Sequence, residues 1–292
     1  MSWTRHTKVS GILPEGPIWD HRLNRTLWVD ILSGLVWNLS EHGQPEVLFR
    51  DDDYVSGIWL AEGNGYVVAS GHGVLRLDAE GSILAKVDKV PAIRPNLRFN
   101  DGAVDHVGRL LLGTMGRSEP DFIEPYGSLI CIDGRTSPKP LIIGLTISNG
   151  IDWSPDHEWL YVADTIRRRI LILPYDDAVS ASYPADADAC ESIALDGLPD
   201  GLCVRADGAI VVAMITDGHL LILSPEGKVV DRVAAPASCP TSCCFGGPKF
   251  EQLFLTTSTH LLPKGHAESE AGHLLSAQNV GLGKPSHEFR LG

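Results

Sequence analysis

The sequence predicts an all-β fold, a six-bladed β-propeller formed as a single domain over residues 1–292. Three observations predict it. A short motif recurs six times at blade-like spacing, each copy is followed by further apolar strands, and no segment of helical length shows a 3.6-residue period. Strands alternating with long helices would have indicated a parallel α/β sheet instead.

The motif is a polar residue, then Gly, then an apolar strand. It reads Glu15-Gly16-Pro17-Ile18-Trp19, Ser56-Gly57-Ile58-Trp59-Leu60, Asp101-Gly102-Ala103-Val104, Asn149-Gly150-Ile151-Asp152-Trp153 and Asp200-Gly201-Leu202-Cys203-Val204. A degenerate sixth copy, Thr241-Ser242-Cys243-Cys244-Phe245, aligns through Pro199 and Pro240. The starts at 15, 56, 101, 149, 200 and 241 are separated by 41, 45, 48, 51 and 41 residues, the period of propeller blades. Second strands follow at Leu27–Asp30, Gly65–Ala69, Leu110–Gly113, Trp159–Ala163, Ile210–Ala213 and Leu253–Thr256. Third strands are legible at Val74–Leu77, Ser128–Ile132, Ile170–Leu173 and Leu220–Leu223, with turn pairs such as Asp207-Gly208 and Glu226-Gly227 around them. A propeller closes its ring to remove exposed edges, so a strand near Thr7-Lys8-Val9 is expected to complete the sheet of the C-terminal blade.

Composition narrows the function classes. Net charge is −13, and the one cationic run, Arg167-Arg168-Arg169, reads as a solvated turn, so no basic stripe suggests a nucleic-acid partner. The acidic run Asp51-Asp52-Asp53 lacks the spacing of an EF-hand loop and reads as an exposed loop. No apolar stretch approaches a membrane span, and the N-terminal residues form no apolar signal core. The six cysteines form no CxxC pair and read as reduced, mostly buried thiols of a cytoplasmic protein. Nothing in the sequence bears on oligomeric state.

The chemistry begins where the repeat carries polar side chains. Inner strands line a propeller's channel, so Glu15, Ser56, Asp101, Asn149, Asp200 and Thr241 should ring one end of it. A single Asx or Glu before Gly is ordinary turn chemistry. Five polar copies in register are not, because crowded carboxylates repel each other unless a cation neutralises them. Oxygen donors favour a hard divalent cation such as calcium, magnesium or manganese. The lack of an HExxH or spaced His cluster makes a conventional zinc site less fitting, and zinc and iron(II) stay open as identities. The segment Arg98-Phe99-Asn100-Asp101-Gly102 falls at the same rim. Arg98 there could grip substrate oxygens through paired hydrogen bonds or pair with Asp101 or another carboxylate.

With Pro14-Glu15-Gly16-Pro17, Arg98-Phe99-Asn100-Asp101-Gly102, Leu112-Gly113-Thr114-Met115, Ser148-Asn149-Gly150-Ile151-Asp152, Pro199-Asp200-Gly201 and Thr241–Gly247 in order, the chain resembles the senescence marker protein/gluconolactonase (regucalcin-like) family. The resemblance implies one divalent cation held by Glu15, Asn149 and Asp200, and substrate contact by Arg98 and Asn100. It implies hydrolysis of sugar-acid lactones, so the expected partner is a small-molecule sugar lactone. After the GTM segment some relatives carry two acidic residues that reach the substrate. This chain has Gly116-Arg117-Ser118-Glu119; Glu119 is the shifted candidate, and Arg117 suggests a rim for a more anionic or differently configured lactone. The loop Pro120–Tyr126 is the expected specificity lid.

Asp200 is the residue expected to combine ligation with general-base duty toward the attacking water. The sequence has neither a GxSxG elbow nor a dinucleotide-binding loop, since Val68 stands where a third Gly would be after Gly63 and Gly65. Two alternatives use the same site: a phosphotriesterase or aryl-ester hydrolase, and a non-catalytic calcium-binding propeller.

Overall fold

In a computed structural model describing residues 2–40, 43–87, 95–118, 120–134 and 137–290 (the Asp177 side chain excepted), the chain forms six sheets of mainly antiparallel strands. The six inner strands are Pro14–Asp20, Val55–Leu60, Leu97–Val104, Ser148–Trp153, Leu198–Val204 and Pro240–Gly246. Each packs against the inner strands of its two neighbours, and the sixth packs against the first, so the ring closes as a β-propeller. Blades 1 to 6 are numbered here by these strands.

Second strands run Arg25–Asp30, Tyr66–Ser70, Leu110–Gly116, Trp159–Asp164, Ile210–Ile215 and Gln252–Thr257, where apolar runs were expected. Every residue of Tyr66–Ser70 and Ile210–Ile215 is buried, because each blade has a neighbour on both faces. That is why these strands read as unbroken apolar runs rather than as alternation. The fourth strand of blade 2, Ile83–Lys86, is exposed throughout and forms an outer edge. Blade 3 carries an extra two-residue strand, Ala185–Asp186, parallel to Lys139–Leu145. Helical structure among the described residues is confined to a 3-10 turn at Ile31–Ser33 and an α-helix at Tyr175–Ser180.

The closing strand is Thr4–Arg5, with Thr4 opposite Ser276 and Arg5 opposite Leu275 of strand Leu274–Gln278. The N-terminus therefore completes blade 6 as expected, but three residues earlier than Thr7-Lys8-Val9. Thr7 instead bonds His273 Nδ1 through its hydroxyl at 2.6 Å, and Gly11 N donates to Gly272 O at 2.7 Å.

The two charge runs lie in a turn and a loop as expected, each with one member held inward. Arg169 is pinned by the buried carboxylate of Asp164 (3.0 Å), and Arg167 and Arg169 both reach Asp188. The Asp51 side chain is only 3% exposed and lies 3.2 Å from His72 Nε2. Pairing across the sheet brings these partners together, as where Asp164 stands opposite Arg169 in one hairpin. All six cysteines are free thiols; Cys131, Cys239 and Cys243 are buried, while Cys190, Cys203 and Cys244 are half-buried.

After Gln278 the chain crosses the far end of the channel as a strap. Ala206 N donates to Leu282 O (2.8 Å), and Lys284 Nζ donates to Trp153 O (2.7 Å) and Asp152 Oδ1 (3.2 Å). Phe289 N then donates to Leu60 O (2.8 Å), and Arg290 N donates to Gly108 O (2.9 Å). These bonds tie the strap to blades 5, 4, 2 and 3 in turn. A cavity of about 140 Å³ lies between the strap and the inner strands, with Trp59, Asp101, Leu202, Cys243, Lys284 and His287 among its walls.

Candidate active site

Each inner strand breaks register with its second strand near its start, always by one extra residue. The breaks fall at Glu15/Ile18, Val55/Gly57, Phe99/Gly102, Asn149/Ile151, Pro199/Leu202 and Pro240/Ser242. A one-residue β-bulge bends the strand and re-aims the side chains beside it. Repeated around the ring, it turns the polar residues of the motif toward the channel.

The register refines the motif alignment. Gly102, Ile151 and Leu202 oppose Leu112, Val162 and Val212, equivalent positions of their second strands. Counting back two residues puts Asn100, Asn149 and Asp200 in one tier across blades 3, 4 and 5. Asp101 therefore occupies the place of Gly150 and Gly201, one step deeper, and it lines the cavity below. The recurrent Asp-Gly pair had aligned Asp101 with Asp200; the bulge displaces it. Glu15 on blade 1 joins the same tier, because Pro14 pairs with Asp30 as Ser148 pairs with Asp164 and Pro199 with Met214.

The glycines after Asn149 and Asp200 answer to crowding between blades. A Cβ on Gly150 would lie 2.5 Å from Leu202 N and 2.6 Å from Asp200 O. One on Gly201 would lie 2.2 Å from Ser242 Oγ and 2.7 Å from Ser242 Cα. Inner strands thus approach backbone to backbone at the height of the polar tier.

The tier is cross-linked. Asn100 Nδ2 donates to Ser148 O (3.1 Å) and to Asn149 Oδ1 (2.5 Å). Asn149 Nδ2 donates to Thr165 Oγ1 (2.8 Å), which leaves its amide oxygen as the atom turned to the other polar groups. Arg98 Nη1 donates to Phe99 O (2.9 Å) and Asn100 Oδ1 (2.8 Å), so Arg98 positions Asn100 as well as facing the carboxylates. Thr165 and Tyr54, whose ring stands 6.0 Å from the Arg98 guanidinium carbon, were not flagged by the motifs. Both lie beside inner strands without any repeat signature.

Asn100, Asn149 and Asp200 are 6%, 7% and 3% exposed, so their chemistry is that of a desolvated site. Burial first, then repulsion from Asp200 and Asp101, lifts the Glu15 carboxyl well above the usual range. Burial and repulsion from Asp101 likewise lift Asp200, with Arg98 opposing. Burial raises Asp101 to about 6 and lowers Arg98 to about 10. Three crowded carboxylates face the half-buried Arg98 guanidinium, which makes this end of the channel short of positive charge.

That donor set fits a divalent cation: two carboxylates and an amide oxygen held by the Thr165 bond, all hard donors. Ser56 and Thr241 take no such part. Ser56 Oγ donates to Ala69 O (3.2 Å), and Thr241 Oγ1 donates to Pro14 O (2.7 Å) and Thr256 Oγ1 (2.9 Å). Glu119 lies outside the described residues. The Pro120–Tyr126 loop folds back over Gly116, whose added Cβ would fall 2.2 Å from the Asp121 carbonyl carbon. A second set of groups at ligand distance, Asp51, Asp52 and His72, lies on the surface, with His72 Nε2 2.6 Å from Asp52. Among the described residues no helix is long and apolar enough to cross a membrane.

Six blades around a channel with one acidic, desolvated end define a β-propeller with a candidate catalytic centre on its axis. The model of the SMP-30/Gluconolactonase/LRE-like region matches residues 13–259, and the chain belongs to that family. It is 33% identical to regucalcin of Xenopus laevis over 84% of this chain and 82% of that protein. It is 29% identical to 6-deoxy-6-sulfogluconolactonase of Pseudomonas putida over 85% of this chain and 84% of that one. The crystal structure of a calcium-binding protein, regucalcin, from Agrobacterium tumefaciens superposes with a TM-score of 0.87 at 24% identity, covering 98% and 97% of the two chains. At that identity the likeness speaks to the fold.

Proposed function

We propose that the chain is a divalent-metal-dependent lactonase, which opens the ring of a sugar lactone to the free aldonic acid. The observation that carries this reading is the mutually repelling pair of half-buried Glu15 and buried Asp200 beside an amide oxygen of Asn149 that Thr165 holds in place. The name of the Pseudomonas putida relative supports the substrate class. Glu15, Asn149 and Asp200 would hold the cation, with calcium, magnesium and manganese best matched to their oxygens. Bound there, it supplies Lewis acidity toward the lactone carbonyl. Asp200 takes the proton of the attacking water as its oxygen bonds to the carbonyl carbon. The carbon–oxygen bond of the ring then breaks, and the ring oxygen leaves as a hydroxyl carrying the proton that Asp200 took from the water. Arg98 and Asn100 orient the sugar hydroxyls. The strap crosses the far end, so substrate is taken to enter from the ligand end. Free, partly buried thiols accord with the cytoplasm.

The test is acid release from pentono- and hexono-lactones, and hydrolysis of a chromogenic phosphotriester, each with a series of cations. Faster turnover of lactones supports the reading. Preference for the phosphotriester would assign the site to the other ester class, and tight cation binding without any turnover would make the chain a calcium-binding propeller.

The site also predicts a coupling between pH and cation. In the metal-free fold Glu15, Asp101 and Asp200 keep protons to higher pH than in the unfolded chain. The native state then binds more protons, so these groups lower stability as pH rises from about 4 through about 6 and above. A cation replaces those protons, so its stabilising effect should grow with pH. Thermal unfolding should show a larger cation-induced rise in Tm at pH 8 than at pH 5; the reverse order would contradict the ligand assignment.

A further inference from the structure

We infer that Arg117, next to Arg98, selects lactones that carry a negative charge at the end remote from the ring carbonyl. The inference rests on the lactonase reading of the site and names its substrate class more narrowly.

Arg117 is placed by the sheet. Leu97 pairs with Gly116 and Arg98 with Met115, so the residue after Gly116 stands at the same end of blade 3 as Arg98. Arg117 N donates to Asn96 O (2.9 Å), and Arg117 Nε donates to Leu97 O (3.0 Å), which fixes the root of the guanidinium and leaves its Nη groups forward. Its guanidinium carbon lies 5.0 Å from the Tyr54 ring centroid, and that of Arg98 lies 6.0 Å from the same ring. One tyrosine, itself 7% exposed, therefore carries two guanidinium groups: Arg98 against the carboxylates, Arg117 toward the rim.

The neighbouring acids do not neutralise this arrangement. Asp53 is the acid nearest Arg117 among the described residues, at 3.9 Å, with both side chains 42% exposed. That distance is too long for a hydrogen bond, and a half-exposed pair of this kind contributes about 0–1 kcal/mol. The contact is with Asp53 Oδ2, while Oδ1 accepts from Tyr54 N at 2.8 Å. Asp51 and Asp52 face His72, at 3.2 and 2.6 Å. A ligand anion that accepts two parallel N–H bonds from a guanidinium can displace so loose a partner.

The proposed chemistry sets the direction of binding. The lactone carbonyl belongs at the deep end beside Glu15, Asn149 and Asp200, so the remote end of the sugar faces the rim where Arg117 stands. With Arg98 and Asn100 beside the ring hydroxyls, Arg117 meets the exocyclic end of the sugar. A phosphate, a sulfonate or a carboxylate on that end shares the required chemistry. A merely different ring configuration would not call for a second cation at the rim.

The test compares kcat/KM for glucono-lactone with those for its 6-phospho and 6-sulfo derivatives and for glucaro-lactone, which carries a carboxylate. The wild-type protein and the variants Arg117→Ala and Arg117→Lys are each measured. Preference for one or more charged lactones by about tenfold or more is expected, in keeping with a charge-assisted hydrogen bond. The ratio of charged to neutral should collapse in Arg117→Ala and recover in part in Arg117→Lys. The three charged arms tell the tetrahedral anions from the planar one. Calorimetric binding of gluconate and 6-phosphogluconate to the same proteins reads the discrimination without turnover. A wild-type protein indifferent to the added charge, or a ratio unaffected by Arg117→Ala, overturns the inference while lactone turnover keeps the lactonase reading. Arg117-dependent discrimination between the acids without lactone turnover does the opposite. Absence of both overturns both.

Discussion

Replacing Asp200 with Asn is expected to lower kcat/KM on the preferred lactone by about 10²–10⁴ or more, the range associated with loss of a general base. Asn matches Asp in shape, and the site is 3% exposed, so the fold should survive the change. What the variant loses is a charge with two tasks, cation ligation and proton removal from water. Calorimetric titration with calcium or manganese should therefore show weakened binding alongside the loss of turnover. A third readout separates this role from a structural one. Burial and Asp101 both hold the Asp200 carboxyl above its usual range, so this acid costs the metal-free fold stability as pH rises toward neutrality. Removing it should raise the Tm of the metal-free protein and shrink the Tm gain on adding cation. A variant with full activity would sink the assignment of Asp200, and one with a lowered metal-free Tm would mark Asp200 as a structural residue.

Gly150→Ala should damage the same site without touching a ligand. Its new Cβ would meet Leu202 N and Asp200 O at 2.5 and 2.6 Å, both backbone atoms that no rotamer change can move. Relief requires the inner strand of blade 5 to shift against that of blade 4, and overpacking of this kind costs about 1–3 kcal/mol. For a chain of this length that corresponds to a drop in Tm of several degrees, about 2–4 °C per kcal/mol. Because the displaced strand carries Asp200 and the added methyl follows Asn149, cation affinity should fall together with stability. Gly16→Ala offers a contrast, since a Cβ there meets nothing within 4 Å and the cost comes from its φ of +49°. Circular dichroism melts and calorimetric titration of both variants would check the comparison. Equal cation affinity in wild type and Gly150→Ala would show that the two inner strands are not coupled at this height.

Much of the candidate site was legible because ligand-type residues recur at a fixed place in a repeat. Glu15, Asn149 and Asp200 each precede or begin a bulge that the structure repeats in every blade. The bulges themselves had no sequence signature beyond the glycine that accompanies most of them. Hence Asp101 was aligned with Asp200 by its Asp-Gly pair, while the ladder places Asn100 there instead. Thr165 and Tyr54 escaped notice for a related reason: each acts on a residue of another strand, and local pattern says nothing about such partners. The Asp164 partner of Arg169 and the His72 partner of Asp51 follow the same rule.

By itself, the sequence determined the number of blades, the order of their strands and the residue types around the channel. A 41–51-residue repeat of apolar strands cannot bury its faces except against copies of itself, so the repeat carries the architecture. Tertiary structure alone decided which polar residues share a tier, which hydroxyl orients the Asn149 amide, and that Thr4–Arg5 rather than Thr7–Val9 closes the ring. It also decided that the strap ending in Phe289 and Arg290 crosses the far end. Those are contacts between residues far apart in sequence, chosen by one-residue register shifts and backbone approach, and neither leaves a periodic mark in the chain.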